Sequence, residues 1–348
     1  MVYNRQPESM KKIVFFFLTF CFIAFTHAQT PVAMLDNGGT LLPYYGTDAL
    51  INAYNDANEG STITLSPGIF NACDIQKNIT IRGAGMMMDE ANAILPTTID
   101  GNFTIHNTDS TKSMVFEGLF IEDYVYFDTV WNVQFIKCYA GRIAHNSMFT
   151  SAYHNGTFLH CILPAVYCRM FKNCHFYNSV FGEPNDNSVD LWNSDQSTVF
   201  TNCILKFHAT NINTFHSTNC IMMGNDTNHT TGTGNPCLKH YYGIGITTSE
   251  SPFFHPEEIL VPQHLYNFST CAEVFVNFNR NIAVTSDYHL LDNVAELYLG
   301  SDSTQIGIYG GQTPFNPRVN NPSIGRITVG GETDSQGRLP VSIEVINE

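Results

Sequence analysis

Basic side chains are scarce in this sequence. Its 348 residues include 16 Lys and Arg against 31 Asp and Glu, so the formal net charge is −15, and only 14% of the residues are charged. Such a chain is a poor partner for nucleic acid or an anionic membrane surface. The same acidity argues against simple binding of an acidic polysaccharide. Asn, Thr, Ser and Gly fill the polar positions instead, which is typical of an exported β-protein rich in turns.

Several chemical motifs are also missing. The sequence contains no C-x-x-C pair and no HExxH motif, which argues against a structural zinc site and a zinc-protease centre. Gly310-Gly311 is not followed by Lys-Ser/Thr, so it predicts a tight corner rather than a phosphate loop. We therefore expect no cofactor and no resident metal, and Ca²⁺ is the one ion left open as a ligand.

The N-terminus predicts export. Lys11 and Lys12 precede an apolar run from Ile13 to Phe25, and Ala28 ends an A-x-A-like exit. This pattern predicts a signal peptide over residues 1–28, cleaved after Ala28, because the run is shorter than the about 20 residues of a membrane span. No later segment predicts a transmembrane helix, so we expect a secreted, extracellular or cell-surface protein.

A repeated Phe-x-x-Cys/Leu motif indicates a solenoid. Its last position recurs at intervals of 19, 23, 13, 29 and 17 residues, and Asn, Ser, Gly or Pro turns separate the copies. A unit of about 20 residues cannot bury its own apolar face, so successive units must stack. The copies end at Leu119, Cys138, Cys161, Cys174, Cys203 and, more loosely, Cys220.

Nine cysteines remain after the predicted cleavage, and an odd number cannot all be paired within one chain. The cysteines of the motif predict a row of buried thiols, since Cys is small and packs well in a stacked column. Disulfides are the alternative, and they are most plausible among Cys168, Cys237 and Cys271, which lie off the motif.

A helix should cap the first rung of the solenoid. The segment 47–60 predicts a short helix with Thr47 as its N-cap and Gly60 as its stop. The segments 62–70 and 78–85 follow, and they predict a strand, a Pro-Gly turn, a second strand and a Gly-Ala-Gly corner.

These motifs carry a family resemblance. The phrases "ITLSPGIF…NITIRGAG" and "DYHLL…STQIGIYGGQTPFNP" resemble the opening rungs and the closing rung of right-handed parallel β-helices of the pectin-lyase-like superfamily, in particular secreted bacterial members of unassigned function. The resemblance covers residues 45–317 and implies an all-β right-handed parallel β-helix. It does not imply a reaction, because the superfamily includes lyases, hydrolases, epimerases, adhesins and members with no known activity.

The predicted organisation has four parts: the signal peptide 1–28, an N-terminal segment with the capping helix at 29–61, the β-helix at 62–317, and a C-terminal β-strand appendage at 318–348. Two alternating strands around Gly330-Gly331 predict the appendage, which is too short for a core of its own.

One acidic stretch offers candidates for catalysis. Asp186, Asp190 and Asp195 follow Glu183, and His208 lies one short rung later. Trp192 lies among them and suits stacking on a sugar ring. The stretch resembles pectate lyases, but Lys206 is the only nearby candidate base and the neighbouring acidic rungs of a Ca²⁺ site are missing. A polar loop rich in turn residues is the simpler interpretation.

A second cluster combines aromatic and acidic residues. Strand alternation places Tyr124 and Tyr126 on one face, where they could bind sugar, with Asp123 on the opposite face. The cluster also includes Glu117, Glu122, Asp128 and Trp131. The alternative is the core and edge of an ordinary rung.

The expected function is a non-enzymatic, adhesin-like or glycan-contacting surface protein. A polysaccharide lyase or glycoside hydrolase with a divergent carboxylate site is the first alternative, and a structural envelope component is the second.

Overall fold

The predicted stack of rungs is present as a parallel β-solenoid in a computed structural model of the chain. The structure describes residues 30–90, 94–145, 151–167, 170–182, 197–206, 216–224, 239–246, 264–278, 281–319, 323–329 and 341–346. The predicted signal peptide, Cys168 and Cys237 lie outside these residues.

Two long sheets and one short sheet form the described solenoid. The first sheet contains β1 (Val32–Asp36), β2 (Leu41–Tyr45), β3 (Thr62–Leu65), β6 (Thr80–Arg82), β9 (Met114–Glu117), β12 (Val133–Ile136), β15 (Thr157–Leu159), β19 (His175–Tyr177), β21 (Val199–Thr201), β23 (His216–Thr218) and β25 (Lys239–Tyr241).

The second sheet contains β4 (Gly68–Asn71), β7 (Thr97–Asp100), β10 (Phe120–Phe127), β13 (Tyr139–His145), β16 (Ile162–Leu163), β20 (Val180–Gly182), β22 (Ile204–Lys206), β24 (Ile221–Met223), β26 (Gly243–Ile246) and β27 (Leu265–Phe268), with β5 (Asp74–Ile75), β8 (Phe103–Ile105) and β17 (Val166–Tyr167) beside it. The third sheet contains β11 (Val130–Trp131), β14 (Tyr153–His154) and β18 (Phe171–Lys172). From β3 onward, the described pairs in these three sheets are parallel.

A column of phenylalanine rings fills the interior behind the first sheet. Phe116, Phe135, Phe158, Phe176 and Phe200 are buried in register on successive rungs. Neighbouring ring centroids are 5.1, 5.6, 4.5 and 4.4 Å apart. The strand spacing of about 4.8 Å brings identical rings into stacking distance, so the Phe of the repeat forms the core of the solenoid.

The capping helix is present but shorter than predicted. Helix α1 (Ala49–Asp56) buries the expected apolar face, including Leu50 and Tyr54. The predicted N-cap at Thr47 is wrong, because Asp48 occupies that position without a side-chain cap. The Asp48 carboxylate instead accepts a hydrogen bond from Asn71 Nδ2 at 2.6 Å, which ties the helix to β4.

Left-handed turn residues set the register between the two long sheets. One residue with φ between 43° and 65° follows each described strand of the first sheet from β9 to β25. We call this the turn column: Gly118, Lys137, His160, Asn178, Asn202, Asn219 and Tyr242. A small residue with a hydroxyl or thiol follows in most rungs: Cys138, Cys161, Ser179, Cys203 and Cys220.

One member of the predicted repeat is out of register. Ser179, not Cys174, follows the turn column between Cys161 and Cys203, which replaces the intervals of 13 and 29 residues by 18 and 24. Phe171 pairs with Tyr153 in the third sheet, and Cys174 Sγ lies 3.1 Å from the Tyr153 carbonyl oxygen. A rung has two sharp turns, so the same Phe-x-x-Cys phrase fits both of them.

The row of buried thiols is confirmed for Cys138, Cys161, Cys203 and Cys220, which form no disulfide. Each side chain lies near the carbonyl oxygen two residues earlier and near the carbonyl oxygen of the Phe on the preceding rung. These distances are 3.4 and 3.3 Å for Cys161, and 2.7 and 3.3 Å for the Ser179 hydroxyl. Burial raises the pKa of Cys161 to about 12, so its thiol stays protonated and donates.

A C-terminal segment runs back along the turn column. We call residues 300–319 the strap. Asn178 Nδ2 donates to the carbonyl oxygens of Ile308 and Gly310, both at 2.8 Å, and Lys137 Nζ donates to the Arg318 carbonyl oxygen at 2.5 Å. Further along the column, Ser301 N donates to Asn219 Oδ1 at 2.9 Å. A Cβ at Gly118 would clash with Val319 Cγ2, so this turn position requires glycine.

The outer face of the second sheet is also buried. Its isoleucines and valine pack against residues 271–315, which include helix α2 (Asp292–Leu297) and a 3₁₀ turn at Cys271–Glu273. The sheet contributes Ile162, Val180, Ile204, Ile221 and Ile244, and the covering segment contributes Phe275, Tyr288, Leu290, Ile306 and Phe315. The stretch 287–317, which resembles a closing rung, therefore adds no strand to the described parallel sheets and covers a sheet face instead.

The predicted C-terminal strands form a separate antiparallel hairpin. Strands β28 (Ser323–Val329) and β29 (Val341–Ile346) pair with each other in a two-stranded sheet.

Candidate functional site

Several strands of the two long sheets end or begin at aligned positions. Strands β20, β22 and β24 end in register at Gly182, Lys206 and Met223, and β21 and β23 begin in register at Val199 and His216. Residues 183–198 connect β20 to β21 in the sequence, and residues 207–215 connect β22 to β23.

The catalytic and sugar-stacking candidates from the acidic stretch belong to these segments. Asp186, Asp190, Trp192 and Asp195 fall between β20 and β21, and His208 falls between β22 and β23. All five residues lie outside the described residues, so their roles stay predictions. Within the described part of the chain, no group of three or more His, Cys, Asp or Glu side chains could hold a metal ion.

The described site candidates, Tyr124 and Tyr126, lie together on the outer face of β10. Their rings are half-buried and stacked, with centroids 5.0 Å apart and planes within 7°. Their neighbours Val125 and Phe127 point into the core. The predicted shared face of the two tyrosines is therefore confirmed.

Arg142 contacts Tyr124, one of the two stacked rings. It lies opposite Tyr124 on β13, its guanidinium donates a hydrogen bond to the Tyr124 hydroxyl, and its Cζ lies 4.9 Å from the centre of that ring. The hydrogen bond with Tyr124 is the main cause that raises the pKa of Arg142, with smaller contributions from Tyr167 and Asp123. A planar cation that is always charged thus fixes the ring in place.

Ala144 and Tyr167 follow Tyr126 on the next two rungs. The register places Ala144 opposite Tyr126 and Tyr167 opposite Ala144 on the next rung. Two rung spacings, about 10 Å, separate Tyr126 from Tyr167, and the methyl group between them is buried. We call Tyr124, Tyr126, Arg142, Ala144 and Tyr167 the tyrosine patch. It combines flat apolar ring faces with hydroxyl and guanidinium donors, and this combination suits contact with a sugar ring.

The acidic members of the second cluster lie on different strands. The pairing of β10 with β13 shifts between Ile121 and Tyr124, so Glu122 and Asp123 are both exposed. The prediction that Asp123 points to the face opposite the tyrosines is therefore wrong, because strict alternation fails at this bulge. Glu117 lies on the first sheet instead and forms an ion pair with Arg82 at 3.1 Å.

Trp131 belongs to the third sheet rather than to the tyrosine patch. It pairs with His154, and the two rings stack with centroids 3.8 Å apart and planes within 9°. Lys172 follows in register on the next rung. An adjacent ladder contains Asn132, Asn155 and Asn173. Asn155 Nδ2 donates to Asn132 Oδ1 at 3.1 Å, and Asn173 Nδ2 donates to Asn155 Oδ1 at 2.9 Å. These asparagines have positive φ, like the asparagines of the turn column, so this ladder is an ordinary turn feature of the solenoid.

Sequence reasoning missed Arg142 and Tyr167. Aligning "FIEDYVYF" with "YAGRIAH" by the rung repeat brings Arg142 beside Tyr124, but the bulge hides this alignment because it adds residues to one strand. Tyr167 ends the two-residue strand β17, which is too short for any periodicity to be read.

Comparison of the chain with protein-family models, with curated proteins and with solved structures found no significant match in any of the three. The fold defines the chain as a parallel β-solenoid, and the tyrosine patch is its candidate binding site among the described residues. Among the described residues, no helix has both the length and the apolar character of a membrane span.

Proposed function

We propose that this chain is a secreted or cell-surface β-helix protein that binds neutral glycan, without cleaving it, through the tyrosine patch. The observation that carries the proposal is the stacked pair Tyr124–Tyr126, held by Arg142 on the outer face of the solenoid. Sugar rings present C–H faces that pack on aromatic rings, and hydroxyl groups that accept from Arg and Tyr donors.

The charge of the chain selects among glycans. With a formal net charge of −15, the protein repels a polyuronate at long range, and one exposed Arg does not reverse that field. A neutral polysaccharide carries no such cost. The predicted signal peptide supports an extracellular location for this contact.

The test is binding of the full chain to immobilised xylan, mannan and β-1,3-glucan, with polygalacturonate as the acidic comparison. We expect at least one neutral polymer to bind, and the double variant Tyr124→Ala/Tyr126→Ala to weaken that binding by about tenfold or more, since two aromatic contacts are lost. Tyr177→Ala is the matched control, because Tyr177 is an exposed tyrosine on the first sheet. Addition of EDTA should change nothing.

Three results would contradict the proposal. Binding that survives in the double tyrosine variant would place the contact elsewhere. Release of reducing ends or unsaturated products would favour the hydrolase or lyase alternative, and Asp186, Asp190 and Asp195 would then be the residues to replace by Asn. Binding to none of the polymers would favour a structural role in the envelope.

A further inference from the structure

His160 is a buried histidine that contacts the strap. It belongs to the turn column, is 6% exposed, and packs edge-on against Phe315 with ring centroids 6.0 Å apart. Its Nε2 lies 3.0 Å from the Thr313 carbonyl oxygen. Because a carbonyl oxygen only accepts hydrogen bonds, Nε2 carries the hydrogen of the neutral ring, and a second proton has to bind at Nδ1.

The surroundings of His160 Nδ1 do not suit a positive charge. This atom is buried and has no hydrogen-bond partner among the described residues. Lys137, the turn residue of the preceding rung, already places a cation against the same part of the strap, where its Nζ donates to the Arg318 carbonyl oxygen at 2.5 Å. A protonated His160 would be a second cation there, and a buried charge without a partner is costly.

The pKa of His160 reflects these surroundings. Burial lowers it most, and the charge of Lys137 lowers it further, whereas the carbonyl groups of Thr313 and Asn316 raise it. The net effect is a pKa below the usual 6.5. When the strap is released, water reaches the ring, which then has an ordinary pKa of about 6.5. Release therefore takes up a proton below about pH 6.5, so acid favours the released state.

Other ionisable groups lie around this contact. Burial raises the pKa of Cys161, the next residue, and of Tyr309 in the strap to about 12 in each case, so both stay neutral in mild acid. Glu117 acts on Lys137, whose pKa it raises against the larger lowering effect of burial. Of these groups, His160 is the one that links proton uptake to the strap.

The end of the strap is held by few contacts that reach the core. We call residues 311–319 the strap end; of these nine residues, Phe315 alone is buried. Its amide donates to the Ile308 carbonyl oxygen at 2.8 Å. Arg318 is exposed, and its guanidinium lies 3.7 Å from the Asp89 carboxylate. A segment of this kind can open locally while the buried rungs stay folded.

We propose that protonation of His160 releases the strap end from the turn column, which makes the strap a closure that opens in mild acid. In the closed state the neutral ring donates to Thr313, and Lys137 holds the Arg318 carbonyl. In the released state the imidazolium is hydrated, and Phe315 leaves the apolar cluster on the outer face of the second sheet. This device acts at the turn column and does not depend on glycan binding.

Hydrogen exchange of the full chain, followed by mass spectrometry between about pH 5 and 7.5, tests this proposal. After correction for the intrinsic exchange rate, we expect protection of the strap end to fall about tenfold per pH unit below about pH 6.5, because release takes up one proton. The fall should level off at the folded pKa of His160. Protection of β15 and β19, the neighbouring strands of the first sheet, should not change.

Two variants remove the titrating ring. Asn178 and Asn202 occupy the equivalent turn position on later rungs, so His160→Asn suits the left-handed backbone, and His160→Gln keeps a donor of similar reach. In both variants the protection of the strap end should be independent of pH, whatever its level at neutral pH. A wild-type slope in both variants would overturn the proposal, and so would constant protection in the wild-type protein.

His289→Gln is the matched control. His289 also contacts the strap, since its ring stacks on Tyr309 with centroids 4.2 Å apart, but its side chain is 63% exposed and its Nδ1 lies 2.7 Å from the Asp287 carboxylate. This variant should keep the wild-type slope, and loss of the slope here would assign the switch to His289 and overturn the proposal. A parallel loss of protection in β15 and β19 would also overturn it, because unfolding of the solenoid would then account for the release.

Discussion

Replacing Asn178 by Ala should be among the most destabilising changes in the turn column. Asn178 is buried, its φ is 43°, and its Nδ2 donates to two strap carbonyl oxygens at 2.8 Å each. An alanine at this position would deprive the buried Gly310 carbonyl of its donor, whereas the Ile308 carbonyl would still accept from Phe315 N at 2.8 Å. Alanine would also hold a left-handed backbone without the local support that Asn provides.

The expected cost follows from these two losses. Removing a donor from a buried acceptor costs about 1–3 kcal/mol, and the left-handed conformation costs Ala about 1 kcal/mol. The Gly310 carbonyl and the backbone together give about 2–4 kcal/mol, a large part of the total stability of an ordinary domain. Asn178→Gly keeps the backbone conformation and should cost about 1 kcal/mol less than Asn178→Ala.

Urea unfolding of the full chain, followed by circular dichroism, measures these differences. Asn173→Ala is the matched control, because Asn173 has φ of 53° but is exposed and distant from the strap bonds of Asn178. The strap variant should also become sensitive to limited proteolysis within residues 300–319. If Asn178→Ala and Asn173→Ala cost the same within about 0.5 kcal/mol, the two strap bonds do not contribute as argued.

Three further predictions concern the core and the turn column. Phe158→Ala should lower the free energy of unfolding in urea by about 3–5 kcal/mol, because it opens a cavity in the middle of the ring stack. A loss below about 1 kcal/mol would mean that the neighbouring rings move in and fill the cavity. Cys161→Ser should cost less than about 1 kcal/mol, since Ser179 already makes the same contacts on the next rung, whereas Cys161→Val should cost more because it removes the donor. Burial lowers the pKa of His160 below its usual 6.5, so the folded state binds its proton less readily than the unfolded state. The stability that neutral His160 contributes is therefore complete above about pH 6.5 and is lost as the pH falls toward the folded pKa. Between about pH 7 and 5, the urea midpoint of His160→Gln should depend less on pH than the wild-type midpoint does. The same pH dependence in both proteins would refute this.

Much of the solenoid follows from periodicity that can be read in the sequence. The Phe of the repeat packs at one point of five successive rungs, because parallel stacking repeats the same environment at each level. The capping helix follows from the spacing of Leu50, Ala53 and Tyr54. The repeat that ends at Cys174 lies at the other turn because residue type alone does not distinguish the two corners of a rung. Only the pairing partners, Tyr153 for Phe171 and Phe200 for Phe176, separate them.

The strap could not be predicted by the same reasoning. Its contacts join residues more than 80 positions apart, and they use backbone carbonyl and N–H groups, which have no sequence signature. The residues that receive it are Lys137, His160 and asparagines, which read as ordinary turn residues. Burial distinguishes the residues that contact the strap from ordinary turn residues. His160 and Asn178 are under 10% exposed, whereas Asn155 and Asn173, at the turn beside the third sheet, are more exposed.

The tyrosine patch shows how a local irregularity creates a surface that regular stacking would not. With strict alternation, Glu122 would share a face with Tyr124 and Tyr126. The bulge between Ile121 and Tyr124 exposes Glu122 and Asp123 together and brings Tyr124 opposite Arg142. A bulge costs ladder hydrogen bonds, and proteins keep such features where they redirect a side chain. The bulge and the Arg142 clamp therefore point to the same face of β10, which is why this face, rather than the regular Trp131–His154 column, is the stronger candidate for ligand contact.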